Sequence, residues 1–165
     1  MTVYKKLTIG LLLLLGNICY AQSDSTWNQK PKIKFSGFLD VFYAYDFNQP
    51  QTDFRQTFFY NHNRHNEFNL NLGILKASIE HTKYRANLAM QAGTYSNDNY
   101  AAEPGLLKNV FEANVGISLN KKNNLWLDAG VFSSHIRFES AISKDCWTLT
   151  RSLLADNSPY YESGA

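Results

Sequence analysis

Apolar and polar residues alternate from residue 33 to residue 47, IKFSGFLDVFYAYDF, which is the pattern of a β-strand. One face of this predicted strand is apolar apart from Gly37 and carries Ile33, Phe35, Leu39, Val41, Tyr43, Tyr45 and Phe47. The other face carries Lys34, Ser36, Asp40 and Asp46, interrupted by Phe38, Phe42 and Ala44. The segment is longer than the roughly 5–6 residues usual for a strand in a soluble domain.

Four more segments alternate in the same way and predict strands at residues 67–80, 84–94, 110–119 and 125–132, with a sixth starting at Tyr160. The apolar rows of the second and fourth strands are predicted to include Phe68, Leu70, Leu72 and Ile74, and Phe111, Ala113, Val115, Ile117 and Leu119. After Gly73 the apolar positions change parity to Leu75, Ala77 and Ile79, which predicts a β-bulge near that glycine.

The connections between these strands alternate between long loops and short turns, such as HTK (81–83) and NKKN (120–123). Outer-membrane β-barrels have this asymmetry, because their short turns face the periplasm and their long loops face outside. Aromatic residues also lie near predicted strand ends, where a barrel has its aromatic girdles: Tyr43, Tyr45, Phe47, Tyr84, Tyr95 and Phe132. Alternation alone leaves a second class open, a soluble periplasmic or surface β-sandwich that binds glycans through its aromatic residues.

The first residues, MTVYKKLTIGLLLLLGNICYA, predict a secretory signal peptide over residues 1–21. Lys5 and Lys6 precede an apolar core that is shorter than the roughly 20 residues of a membrane-spanning helix. A lipid anchor on Cys19 is the alternative, disfavoured by the bulky Ile18 before it. We expect residues 22–32 to form a short periplasmic segment and residues 33–165 to form part of an outer-membrane barrel.

Charge and cysteine content narrow the possible partners. The signal peptide contains two of the 16 basic residues and none of the 14 acidic ones, so the mature chain is neutral. A neutral chain is not expected to bind nucleic acid, whose recognition needs a positive field. Cys146 is the only cysteine of the mature sequence, which excludes an internal disulfide and a thiolate metal cluster. We expect no cofactor and no metal.

Three blocks of the chain carry a family resemblance: FFYNHNRHNEFNLNLG, YRANLAMQAGTYSNDNYAAEPGLLKNVFEANVG and LWLDAGVFSSHIRFESAISKDCWTLTRSLLADNSPYYESGA. In order and spacing they resemble the OmpL-like β-barrel porins of Bacteroidetes-type outer membranes. The resemblance implies a many-stranded barrel and no catalytic residue. The family usually reads SHIGFES and KDNWTLT, whereas this chain has Arg137 and Cys146 at the differing positions. Family members are longer, and single-chain bacterial barrels need at least eight strands, so we expect an incomplete, amino-terminal part of a barrel.

The stretch SSHIRFESAI (133–142) contains the residue types of a hydrolase site, with Ser133 or Ser134 as nucleophile, His135 as base and Glu139 as acid. Neighbouring residues of an extended chain point to opposite faces, and no G-x-S-x-G motif supports a nucleophile, so an outer-membrane hydrolase is the least favoured function. His62 and His65 could share a metal, but no ligand-spaced carboxylate or cysteine accompanies them, and a solvated loop is the preferred interpretation.

The sequence therefore predicts an antiparallel transmembrane β-barrel, not an enzyme, in the outer membrane. Its function would be passive diffusion of small hydrophilic solutes, with selectivity set by pore-lining charges and a constricting loop. Its partners would be membrane lipid, those solutes and the barrel assembly machinery. The predicted pore-lining residues, on the polar face of the strands, are Lys34, Asp40, Glu67, Arg85, Glu112 and Asp128. The long segment after residue 132 either packs on itself as an extracellular loop or folds into the lumen as a constriction lined by Arg137, Glu139, Arg151 and Asp156.

Overall fold

A single six-stranded antiparallel sheet dominates the computed structural model, which describes residues 25–136, 139–149 and 151–165. Its strands are β1 (Lys32–Tyr43), β2 (Phe68–Glu80), β3 (Tyr84–Ala92), β4 (Val110–Ser118), β5 (Trp126–Ser133) and β6 (Tyr161–Gly164). Two short helices, α1 (Thr94–Asn99) and α2 (Leu153–Asp156), and 3-10 turns at Ser25–Asn28, Gly105–Asn109 and Ser143–Asp145 complete it. The predicted all-β antiparallel fold is confirmed.

The strands follow one another in chain order across the sheet, so each pairs with its sequence neighbours. β1 and β6 are the edges, and the sheet is open. Since consecutive strands run in opposite directions, the turns 81–83 and 119–125 lie at one end of the sheet. The first long loop (44–67), the second (93–109) and the third (134–160) lie at the other end.

The two faces of the sheet differ in chemistry. The apolar face exposes large hydrophobic side chains, among them Phe35 at 82%, Leu75 at 75% and Val115 at 62% exposure. The opposite face, here called the polar face, carries Lys34, Ser36, Lys76, Ser78, Glu80, Arg85, Asn87, Glu112, Asn114 and Asp128, as the strand register shows. All the described strands belong to this one sheet, and its apolar face is not covered by a second sheet among the described residues.

Two register shifts change which side chains belong to each face. One lies between Asp40 and Val41 of β1, opposite Leu70–Leu72, and the other lies beside Ala89 and Met90 of β3, opposite Phe111. The first confirms the bulge predicted near Gly73. The predicted apolar rows were wrong at Leu72, Ile74 and Phe111, because all three are buried in the core on the polar face instead of exposed with the other apolar residues.

The long loops pack on the polar face near the end where they leave the sheet. A buried cluster joins Leu72, Ile74, Ala89 and Phe111 of the strands to Tyr95, Tyr100 and Ala141 of the loops. Tyr95 is fully buried there, so its predicted place in an aromatic girdle was wrong. This core, not propensity, holds α1, since a helix this short is not stable alone.

At the short-turn end, Trp27 stacks on Tyr84 with ring centroids 6.3 Å apart, and His81 stacks on the same ring at 4.2 Å. The 3-10 turn Ser25–Asn28 is thereby held against the β2–β3 turn. The helices among the described residues are all too short or too polar to cross a membrane. The predicted signal peptide, residues 1–21, lies outside the described residues.

Candidate functional site

Three ion pairs bridge strands on the polar face. Lys34 Nζ lies 2.7 Å from Glu80 Oε1, and Lys76 Nζ lies 2.5 Å from Glu112 Oε2. Arg85 binds Asp128 through two parallel N–H···O bonds, the bidentate geometry that guanidinium and carboxylate favour. Each pair joins a cation to an anion, so these six groups leave no net charge on this part of the face.

Two of these pairs span an entire strand by crossing a small residue. In the register, Ala89 lies between Lys76 and Glu112, and Gly116 lies between Arg85 and Asp128. A Cβ on Gly116 would overlap the Asp128 carboxylate. The guanidinium also lies over the Trp126 ring, 4.5 Å from its centroid, where the ring's negative face attracts a cation.

A row of amides and a hydroxyl runs between these ion pairs. Ser78 Oγ donates to Asn87 Oδ1 at 2.8 Å, and Asn87 Nδ2 donates to Asn114 Oδ1 at 3.0 Å. Asn114 Nδ2 continues the row to Glu112 Oε1 at 3.0 Å. Polar side chains of this face therefore satisfy one another across β2, β3 and β4.

Asp40 has a different environment from the other predicted wall residues. Its Oδ2 accepts from Asn71 Nδ2 and from Ser143 Oγ, and it lies next to His62 Nε2, each at 3.0 Å. Its side chain is 11% exposed. Two of these partners come from the first and third long loops, so this carboxylate binds the loops and not open solvent.

Glu67 lies in the first long loop, one residue before β2. Its Oε1 accepts from Arg64 Nε at 2.5 Å and from Asn69 Nδ2 at 2.8 Å. The hydrogen bond from Arg64 is the main reason that the pKa of Glu67 lies below its ordinary value, and the bond from Asn69 adds to it. Glu67 therefore belongs to a local loop cluster at the rim of the sheet.

Arg151 and Asp156 form a buried node in the third long loop. Arg151 Nη2 lies 3.2 Å from Asp156 Oδ1, and both side chains are almost fully enclosed. The guanidinium carbon lies 5.0 Å from the ring centroids of Tyr95 and Tyr160. Burial raises the pKa of Asp156 above its ordinary value, although the nearby Arg151 guanidinium opposes that rise.

The same node connects the loops to each other. Asp156 Oδ1 accepts from Asn61 Nδ2 of the first long loop at 3.1 Å, and Tyr95 belongs to α1 in the second. Glu139, the other predicted constriction residue described, accepts from the backbone N–H of Ser152 at 2.9 Å. Arg137 lies outside the described residues.

Of the predicted wall residues, only Arg85 and Asp128 bind each other. Lys34 binds Glu80 and Glu112 binds Lys76, and neither partner was among the predicted pore-lining residues. The signal for these two was present, because Lys76, Ser78 and Glu80 fall on the polar face once the parity shift after Gly73 is applied. No signal in the sequence pointed to the loop contacts of Asp40. The assignment of all these residues to a pore lining stays a prediction.

The serine–histidine cluster does not have the geometry of a nucleophile and its base. Ser134 Oγ donates to Glu162 Oε1 at 2.6 Å, and His135 Nδ1 lies 2.7 Å from Glu162 Oε2. Both side chains bind the carboxylate, whereas an activated serine needs the histidine between itself and the acid. Glu162, not the predicted Glu139, is the acidic partner in this cluster.

The two loop histidines point to different places. His62 is buried against Asp40, with its ring edge on Phe42 at a centroid distance of 5.0 Å, so its interpretation as solvated was wrong. His65 Nδ1 accepts from the backbone N–H of Asp46 at 2.9 Å. Within the described part of the chain, no group of three or more His, Cys, Asp or Glu residues is arranged to hold a metal ion.

Comparison with known families gives one finding. The model of a family described as "Putative beta-barrel porin-2, OmpL-like" matches residues 32–165. The match begins at the first residue of β1 and covers all six strands. Comparison with curated proteins and with solved structures gives no significant match.

Proposed function

The chain belongs to the OmpL-like β-barrel porin family, and on that premise we propose that its sheet is part of the wall of a pore for passive diffusion of small hydrophilic solutes. Porins in general reside in the outer membrane and are generally not enzymes. The proposal adds that the apolar face contacts membrane lipid and that the polar face lines the aqueous lumen. The observation that carries it is the separation of the two faces of one open sheet.

Physical chemistry supports this orientation. Phe35, Leu75 and Val115 would be costly to expose to water, whereas lipid solvates them, and the ion pairs and amides of the other face need water or polar partners. Antiparallel strands that satisfy each other's backbone groups are the form in which sheets cross bilayers. In a soluble protein this sheet would expose its large apolar face to water.

Selectivity in this pore would come from width more than from charge. The wall ion pairs place opposite charges beside each other, so their fields cancel over short distances. The long loops pack on the polar face through Tyr95, Ala141 and their neighbours, so they narrow the space beside the wall. Uncharged or zwitterionic solutes small enough to pass the loops are the class that this arrangement favours.

The partners follow from the same arrangement. Outer-membrane lipid would cover the apolar face, and the barrel assembly machinery would insert the chain after secretion by its signal peptide. Nucleic acid is not expected as a partner, because the wall charges are balanced.

Conductance in planar bilayers tests the function directly. The mature protein, produced from its complete coding sequence and folded to a heat-modifiable form, is expected to give discrete single-channel steps. Liposomes that contain it are expected to swell in small neutral sugars, and swelling should slow as the sugar grows. Folded, heat-modifiable protein without conductance or swelling would overturn the proposal.

Lipid contact is tested by two adjacent positions on opposite faces of β3. Leu88→Lys places a charge on the apolar face, where the cost is about 2–4 kcal/mol near the bilayer midplane and smaller near the interfaces. Asn87→Lys places the same charge on the polar face. Because it also removes the hydrogen bonds of Asn87 with Ser78 and Asn114, each Lys variant is compared with the uncharged Met variant at the same position. Denaturant unfolding in lipid vesicles should show that Lys loses more unfolding free energy relative to Met at position 88 than at position 87. Equal losses would mean that the two faces have the same surroundings.

A further inference from the structure

We propose that Asp40 is the positioning residue that sets the width of the lumen by holding two long loops on the wall. The inference rests on the proposed pore function and deepens it. It gives Asp40 a different role from the pore-lining charge that the sequence pattern indicates. The carboxylate would act on solutes through the loops that it holds, not through its own field.

The geometry of the Asp40 carboxylate carries the argument. Asn71 from the bulge of β2, His62 from the first long loop and Ser143 from the third all lie 3.0 Å from one oxygen, Oδ2. An ionised carboxylate only accepts hydrogen bonds, so His62 donates from Nε2. One oxygen of the wall therefore joins two loops that are far apart in sequence.

The contact with the first long loop is locally reinforced. Asn71 donates to Asp40 and also accepts the backbone N–H of His62 at 3.1 Å through Oδ1. Asn71 lies at the bulge, where the register shift opposite Asp40 and Val41 leaves it outside the ladder of paired residues. His62 itself has a positive φ of 52°, a conformation that costs free energy for a residue with a Cβ. The hydrogen bonds at Asp40 and Asn71 hold the loop in this conformation.

The contact with the third long loop lies beside the buried core. Ser143 follows Ala141 and Ile142, which pack against the cluster around Leu72 and Ile74. Lys144 lies over the Phe38 ring of β1, 5.9 Å from its centroid. Residues 141–144 thus lie along the polar face of β1 and β2, and Ser143 is their hydrogen bond to Asp40.

Two substitutions at Asp40 separate positioning from charge. Because all three contacts use one oxygen, Asp40→Asn keeps an acceptor at that place and removes the charge. Asp40→Ala removes both. If Asp40 acts as a pore charge, the two variants should shift ion selectivity by the same amount and should have the same conductance as each other. If it positions the loops, only Asp40→Ala should widen the pore. Glu112→Gln is the control for loss of a carboxylate charge without loss of a loop contact, since Glu112 binds Lys76 and Asn114 of the strands.

The experiment compares single-channel conductance and the sugar size limit in liposome swelling for the wild type and these three variants. We expect Asp40→Ala to raise both and Asp40→Asn to stay near the wild type in both. Glu112→Gln should keep the wild-type sugar size limit, although its ion selectivity shifts. Ser143→Ala releases only the third long loop and should raise the conductance and the size limit less than Asp40→Ala does. It replaces Asp40→Ala as the test variant if Asp40→Ala does not fold. Conductance in Asp40→Ala and Ser143→Ala equal to that of the wild type would overturn the inference.

Trypsin cleavage after Lys144 gives a readout that does not depend on conductance. Folded Asp40→Ala and Ser143→Ala should be cleaved faster there than Asp40→Asn, because the segment beside Ser143 has lost its hydrogen bond to the wall. Equal cleavage rates would count against the anchoring role even if no variant conducts. Absence of conductance in the wild type together with faster cleavage in Asp40→Ala would overturn the pore function and leave the anchoring role standing.

Discussion

Arg85 of β3 reaches across Gly116 of β4 to bind Asp128 of β5 with two hydrogen bonds. The pair exists because the residue between its members has no side chain. The Asp128 carboxylate binds the guanidinium on one side, and the Trp126 ring lies against it on another. The charged pattern of the wall is thus built on the small residues between the charges.

Gly116→Ala should disturb this bridge. The added methyl group would overlap the Asp128 carboxylate, and overpacking of this kind typically costs about 1–3 kcal/mol. We expect a loss of unfolding free energy in that range, measured by denaturant unfolding in lipid vesicles. Gly164→Ala on β6 is the matched control, because a Cβ there meets nothing within 4 Å. Similar losses for both glycines would contradict the steric explanation.

Charge compensation across Ala89 predicts the ion selectivity of variants. Lys76→Gln leaves Glu112 unbalanced and should shift the reversal potential in a salt gradient towards cation selectivity. Glu112→Gln leaves Lys76 unbalanced and should shift it towards anions. The double variant restores the balance and should return to the wild-type value. A double variant that keeps either single shift would show that the two charges act independently.

Removal of Arg151 should detach the third long loop. Without its guanidinium, Asp156 is a buried charge without an ionic partner, and breaking a buried pair in this way costs about 3–5 kcal/mol. Arg151→Met should therefore lose hydrogen-exchange protection in α2 and at Tyr95, while the amides of β3 and β4 keep theirs. Arg151→Met with Asp156→Leu removes both charges and should recover much of the protection. If the double variant recovers no protection, the loss in Arg151→Met is due to the missing contact of the guanidinium with the Tyr95 and Tyr160 rings.

The pH dependence of the first long loop should follow Glu67. Because its folded-state pKa lies below the ordinary value of 4.5, its contribution to stability is present above pH 4.5 and is lost as the pH falls through the folded-state value. Hydrogen-exchange protection of residues 64–69, corrected for intrinsic rates, should decline in that acid range. Glu67→Gln should have lower protection at neutral pH and little further decline. An unchanged acid decline in Glu67→Gln would assign it to another group.

The strands were predictable because each face of a strand meets a single environment over its whole length. Period-2 alternation located five strands, and the predicted bounds of β2 to β5 differ from the observed ones by at most two residues. The first strand was predicted too long, because β1 ends at Tyr43 and not at Phe47, and Tyr160 lies one residue before β6. Alternation also assigned Lys34, Arg85, Glu112 and Asp128 to one face. Side-chain direction reverses at every residue in a strand, so a run of alternating residues leaves little choice.

The bulges and loops were harder to predict for a shared reason. Leu72 and Phe111 are apolar, and alternation cannot tell an apolar residue that faces lipid from one that faces a buried core. The core on the polar face exists only because distant segments, such as the one around Ala141, pack there. Alternation within β1 placed Asp40 on the correct face. It could not show the role of Asp40, because the partners His62 and Ser143 lie outside the strands.

The sequence by itself determined the strands, the two faces and the kinds of residue on each, because these follow from backbone geometry and from local solvation. Only the tertiary structure decided which charges pair, which apolar residues turn inward and where the long loops lie. Pairing of charges depends on strand register. The register aligns Lys76 with Glu112 across Ala89, and Arg85 with Asp128 across Gly116. The position of each loop depends on contacts between residues far apart in the chain, which no local pattern contains.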